Sequence, residues 1–307
     1  MSAHDRMNRR AALRVGLAAA ALGALPAAAQ GRARLSRAIP GSKEPLPVIG
    51  MGTWLTFDVG EGTVERQRRR LVLQRFFDAG GGMIDSSPMY GRAERVVGDL
   101  LRLPHAGRLF SASKVWTPSE RVGRTQLAES ERLWGLPRLD LQQVHNMLSW
   151  PAHLRTLREW KEAGRIRYIG ITTSHGRKHD EMEAVLKREP FDFVQFTYNL
   201  ADRSVEQRLL PLAADRGIAV VINRPFDGGL LFNAVGTRPL PAWAAEIGCA
   251  NWAQFMLKWI VGHPAVTCAI PATSDPDHMR ENMGAGVGVL PDAAMRLRMA
   301  DTVERLL

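Results

Sequence analysis

Four side chains with complementary acid–base chemistry occur in the first half of the sequence, each at or just after the end of a short apolar run. Asp85 closes Met83-Ile84-Asp85, and Tyr90 follows in Pro88-Met89-Tyr90-Gly91. Lys114 ends Ser111-Ala112-Ser113-Lys114, and His145 ends Leu141-Gln142-Gln143-Val144-His145. A carboxylate, a phenol, an amine and an imidazole at one place could hold and move a proton at a polarised oxygen. Each alone has an ordinary structural reading: a strand-end cap for Asp85, loop packing for Tyr90, a snorkelling amine for Lys114, a satisfied core ring for His145. Their recurrence on successive strands makes the joint reading a chemical one.

The elements that must position them alternate along the chain. Strands are predicted at 46–53, 82–87, 109–115, 139–145, 166–172, 193–199, 218–224 and 266–272. Helices are predicted at 64–79, 93–103, 121–134, 151–163, 180–187, 205–216, 251–262 and from 276 to 283. Apolar strands joined by amphipathic helices imply a parallel sheet covered on both faces. Eight such units predict an α/β fold, a (β/α)8 TIM barrel in a single domain, whose mouth carries the strand ends. An open doubly wound sheet fits less well, because no G-x-G-x-x-G follows the first strand.

The chain has 307 residues, 45% hydrophobic and 23% charged, which excludes disordered, collagenous and disulfide-scaffold classes. Cys249 and Cys268 are too few for a zinc cluster. Lys and Arg number 41 against 31 Asp and Glu, a formal net charge of +10. The run Arg66–Arg70 lacks interleaved aromatics, so it reads as a solvated helix face. Asn8-Arg9-Arg10 precedes an apolar segment from Val15 to Leu25 and then Pro26-Ala27-Ala28-Ala29. This predicts a twin-arginine (Tat) type signal at 1–29, cleaved before Gln30, with the barrel at 30–307. The protein is then periplasmic or exported, or cytoplasmic if that signal reading is wrong.

On these residues the chain resembles the aldo-keto reductases. The resemblance covers about residues 45–290 and rests on Gly52-Thr53-Trp54, Met83 to Gly91, Ser113-Lys114-Val115 and Leu139 to His145. Arg165 to Ile171, Val194-Gln195-Phe196, and Ile270-Pro271-Ala272-Thr273-Ser274 with Glu281-Asn282 extend it. The resemblance implies an NAD(P)H-dependent oxidoreductase acting on a carbonyl compound. Tyr90 would be the proton donor, its pKa brought down by Lys114; Asp85 would hold Lys114, and His145 would orient the carbonyl.

By the same resemblance the cofactor lies in a groove on the barrel mouth, along Thr53 and Trp54. Thr172, Thr173 and Gln195 match the positions that hold the carboxamide, although Thr172-Thr173 replaces the usual Ser-Asn. Asn223-Arg224-Pro225 stands where many members carry a stacking aromatic, so Arg224 either stacks on the ring or forms a loop ion pair. The adenosine phosphate is expected at the start of the last helix, along Ala272, Thr273, Ser274, His278, Glu281 and Asn282. Ser274 or Asp275 could cap there, with Pro276 in the first turn and free N–H groups to attract phosphate. Ala272 takes the place of a common Lys and His278 that of a common Arg, with Arg280 nearby; NADP(H) is expected over NAD(H).

His175 and His179 could share a helix face, but with no third ligand evident no metal is expected. Trp54, Trp116 and Trp150 could line an apolar substrate pocket, and the loop 226–242 could fold over the cofactor. The expected partners are a small-molecule carbonyl substrate and the export machinery. Neither nucleic acid nor a membrane span after signal removal is expected, and no feature specifies an oligomer. A non-catalytic nicotinamide-binding redox sensor on the same fold is the second functional class. A Schiff-base aldolase is disfavoured, since it needs an unpaired Lys114.

Overall fold

A hairpin, β1 (Ser36–Ala38) with β2 (Pro45–Pro47), opens the fold and pairs antiparallel. Eight parallel strands follow: β3 (Met51–Gly52), β4 (Met83–Asp85), β5 (Phe110–Val115), β6 (Leu139–Val144), β7 (Ile166–Thr172), β8 (Phe193–Thr197), β9 (Ala219–Asn223) and β10 (Cys268–Ala269). The helices are α1 (Thr63–Asp78), α2 (Ala93–Leu101), α3 (Glu120–Trp134), α4 (Trp150–Glu162), α5 (His179–Arg188), α6 (Leu209–Asp215), α7 (Leu230–Val235), α8 (Trp252–Val261), α9 (Pro276–Gly284) and α10 (Ala293–Glu304). This computed structural model describes residues 33–101 and 109–307. Arg34–Leu307 forms one compact unit. The signal predicted at 1–29 lies outside the described residues.

The sheet runs in sequence order from β3 to β10, and backbone bonds between its two ends close the barrel. Gly50 N donates to Ala269 O at 2.8 Å and Gly52 N to Pro271 O at 3.0 Å. Closure needs glycine here, because a Cβ on Gly52 would stand 2.9 Å from Ile270 O.

Alternation along each strand builds the interior. Residues two apart share a face, so the inward series runs from apolar at the strand starts to polar at the ends. Met83 leads to Asp85, Phe110 and Ala112 to Lys114, Leu141 to Gln143 and His145, and Phe193 to Gln195. The apolar members form a buried cluster with Tyr168, Val221 and Cys268, which Ile39 and Leu46 of the hairpin plug from below. Phe110, Tyr168 and Phe193 pack ring against ring at 5.5–5.7 Å. A larger apolar shell lies between strands and helices.

Several boundaries differ from the prediction. The first strand does not run through 46–53: residues 45–47 belong to the hairpin and only Met51–Gly52 joins the barrel. The helix at 205–216 begins at Leu209, since Pro211 fits a first turn and would break a helix begun a turn earlier. The eighth strand shortens to Cys268–Ala269. The loop 226–242 holds α7, and α10 follows the helix expected to be the last.

Candidate active site

At the mouth, β4, β5, β6 and β8 deliver one connected polar layer. The Lys114 ammonium, fully buried, donates to Asp85 Oδ2 and, at 2.8 Å, to Ser86 O. Asp85 Oδ1 accepts from Gln143 Nε2 at 3.0 Å and Gln195 Nε2 at 3.1 Å. Thr53 Oγ1 donates to Asp85 O at 3.0 Å and ties in the first strand. Burial opposes the Lys114 charge, but Asp85 and Tyr90 more than offset it and hold the ammonium above its ordinary range. An amine so held is no Schiff-base nucleophile.

Tyr90 enters from the loop after β4. Gly91 adopts φ +61 there, and a Cβ on it would strike the Asp58 carboxylate. Lys114 Nζ lies 5.1 Å from the Tyr90 ring centre, near enough for its charge to act on the phenol. Burial pushes the Tyr90 phenol up; Lys114 pulls it down as expected but by less, and Asp85 adds to the rise, so the net shift is upward. The His145 ring stands edge-on to Tyr90 at 5.7 Å. Burial, then the Lys114 charge, push its pKa down to about 2. Its Nδ1 pairs with Ser87 Oγ at 3.0 Å, and that oxygen also accepts Met89 N–H.

A cavity of about 380 Å³ opens above these groups. Asp85, Tyr90 and His145 reach it, as do Thr53, Trp54, Thr172, Gln195, Asn223, Arg224, Pro225 and Ala272. Thr173 does not: its hydroxyl donates to Arg177 O at 2.6 Å while its carbonyl accepts from Asn223 Nδ2 at 2.9 Å. Thr273, Ser274, His278, Glu281 and Asn282 also lie off the cavity lining, at the start of α9 and along it. Arg224 forms an ion pair with Asp227 at 2.8 Å, the second of its two expected roles, and its buried Nε has no hydrogen-bond partner. Trp54 lines the cavity, whereas Trp116 and Trp150 do not. The Trp150 indole donates to Glu181 instead, at 3.2 Å. His175 lies in the loop before α5 and so shares no helix face with His179. Among the described residues no three His, Cys, Asp or Glu side chains are placed to hold a metal.

Several participants were missed. Gln143 shares the inward face of His145, two residues on, and that parity could have revealed it. Asn146, His175 and Arg177 add polar groups to the wall, while Met89, Phe226 and Phe232 add apolar ones. Leu55, Asn146, His175 and Arg224 hold positive φ angles of 49–60° on this wall. Such strain persists in non-glycine residues where surrounding structure enforces it. Glu94, buried behind β5, accepts from Ser113 Oγ, Ser130 Oγ and Trp134 Nε1. No spacing rule reveals a partnership across three elements.

The profile of the Aldo/keto reductase family matches residues 48–298. The chain belongs to the aldo/keto reductase family. The NADH-specific methylglyoxal reductase of Escherichia coli (strain K12) is 24% identical over 314 residues, spanning 84% of this chain and 95% of the relative. Pyridoxine 4-dehydrogenase of the same organism is 28% identical over 237 residues, 70% of this chain and 79% of the relative. An aldo-keto reductase from Bacillus halodurans, in its holo form, has a TM-score of 0.72 at 21% identity, covering 88% of this chain and 96% of that one. The aldo/keto reductase from Klebsiella pneumoniae in complex with NADP and acetate has a TM-score of 0.67 at 24% identity, covering 86% and 93%. At these identities the solved structures show the shared (β/α)8 fold. As an aldo/keto reductase, the chain is an oxidoreductase. This aldo/keto reductase differs from the family pattern quoted above at Thr172-Thr173, Arg224 and the start of α9.

Proposed function

We propose that this enzyme transfers hydride reversibly between a nicotinamide cofactor and an aldehyde or ketone, with Tyr90 as proton donor. The observation that carries the reading is the buried Asp85–Lys114 pair set directly behind Tyr90, with neutral His145 beside it. The residues present fit the nicotinamide end of the cofactor. Thr172, Gln195 and Asn223 line the cavity with amide and hydroxyl groups, and the unpartnered Arg224 Nε offers a donor. These four would hold it, and the cofactor when bound supplies the hydride.

The protein's own groups manage the proton. Burial keeps the Tyr90 phenol protonated at neutral pH, so the donor is loaded. Once the proton leaves, the Lys114 ammonium faces the phenolate and lowers the cost of that charge. Asp85 keeps the ammonium aimed, with Gln143 and Gln195 fixing Asp85 in turn. His145 stays neutral; with Nδ1 accepting from Ser87, its Nε2–H serves as a donor to the carbonyl oxygen.

The test is NADH and NADPH consumption with a panel of aldehydes, followed by near-UV absorbance, beside Tyr90→Phe. Turnover in the wild type that falls by about 10²- to 10⁴-fold in the variant is expected. Cofactor binding without turnover on any carbonyl would instead favour the redox-sensing alternative. The proposal extends to export through Arg9-Arg10, which fractionation of cells carrying R9K/R10K tests; loss of the exported fraction is expected, and an unchanged distribution would overturn the twin-arginine route.

A further inference from the structure

We propose that the cofactor is NAD(H), and that Asp275 and Asp277 exclude the 2′-phosphate of NADP(H); this rests on the hydride-transfer reading above. It runs opposite to the preference that the resemblance suggests. The phosphate was expected at the start of α9, where first-turn N–H groups are usually free to receive an anion. Here a carboxylate of the chain itself takes them. Asp275 is the N-cap, and its Oδ1 accepts from Asp277 N at 2.8 Å and His278 N at 3.3 Å. Asp277 puts a second carboxylate into the same turn.

Two nearby arginines are already engaged. Arg68 of α1 pairs with Asp275 Oδ2 at 2.6 Å. Arg69 donates to Thr56 O and, at 3.3 Å, to Ser274 O. Arg280 stands 3.8 Å from Asp277. Ala272, at the cavity's edge, supplies no ammonium. Arg68 first, then the first-turn N–H groups, hold the Asp275 carboxyl below the usual carboxylate range, so the cap is an anion at neutral pH. A phosphate carrying about −1.5 to −2 charges would meet two carboxylates, with the Asp277 and His278 N–H groups already bonded. A ribose 2′-hydroxyl is a donor, and a carboxylate is an acceptor suited to it.

The test is titration of the purified full-length protein with NADH and with NADPH, read by tryptophan fluorescence and calorimetry. It is run on the wild type and on D275S/D277N; the new serine keeps a capping oxygen while the charge is removed. The wild type is expected to bind NADH at least about tenfold more tightly, and the variant to narrow that ratio about tenfold by gaining NADPH affinity. Equal or tighter NADPH binding by the wild type overturns the proposal and leaves the hydride-transfer reading standing. An unchanged ratio in the variant overturns the role of the two carboxylates. Failure of both nucleotides to bind overturns this proposal and that reading together.

Discussion

Lys114 and Asp85 form the one ion pair among the described residues in which both side chains are buried, at 0% and 2% exposure. Two charges withdrawn from water are stable only if each is fully partnered. Asp85 meets that condition with three side-chain donors, and Lys114 with two oxygens of the Asp85-Ser86 segment and the Tyr90 ring 5.1 Å away.

Asp85→Asn therefore leaves a buried ammonium without its counter-charge. The expected cost is about 3–5 kcal/mol in urea unfolding, with turnover lost. The double variant D85L/K114M removes both charges and should recover most of that stability while staying inactive. Recovery of turnover in the double variant would refute the role given to Lys114.

His145 links stability to pH. Its folded pKa is pushed down to about 2, while the unfolded chain titrates near 6.5. Below pH 6.5 the unfolded state binds a proton that the folded state refuses, so stability falls as pH decreases from 6.5 toward 2. The slope from this group is at most ~1.4 kcal/mol per pH unit. Urea midpoints between pH 6.5 and 4.5 should decline less steeply in His145→Asn. Wild-type turnover should show no His145 inflection near 6.5.

Glu94 joins α2, β5 and α3 through three buried donors. Glu94→Leu strands the Trp134 indole N–H and two serine hydroxyls, for an expected loss of roughly 3 kcal/mol. Glu94→Gln should cost under about 1 kcal/mol, because its carbonyl still accepts and its amide can donate to Ser130. Equal melting temperatures for the two variants would contradict this account.

Arg37 of β1 donates to the carbonyls of Val261, His263, Pro264 and Val266, spanning the end of α8 and the turn toward β10. Arg37→Ala should cost about 2–3 kcal/mol without altering turnover per folded molecule. Arg37→Lys should recover only part, since an ammonium cannot fork across four carbonyls. Calorimetric melting alongside an activity assay checks both.

The sequence by itself determined the repeating strand–helix pattern, and with it the barrel and its mouth. Residues two apart must share a strand face, so Asp85, Lys114 and His145 were legible as inward-facing groups before any contact was known. Tyr90 was legible from its place just after the second strand. What escaped were features depending on groups far apart in the chain. Pro211 delaying α6 could have been seen locally, but Pro45–Pro47 becomes hairpin only because Ser36–Ala38 pairs with it. Thr173 turns from the cavity because Arg177 O and Asn223 claim its polar groups. Gln143 serves Asp85 only after β4, β5 and β6 lie side by side. Tyr90 has a raised pKa because closure buries it, a desolvation that no spacing encodes. At α9 the helix start was readable, but the tertiary fold decided which cation stands there, because Arg68 and Asp275 are 207 residues apart. Local periodicity follows from backbone geometry within a few residues; solvation and charge pairing are decided by what packs alongside.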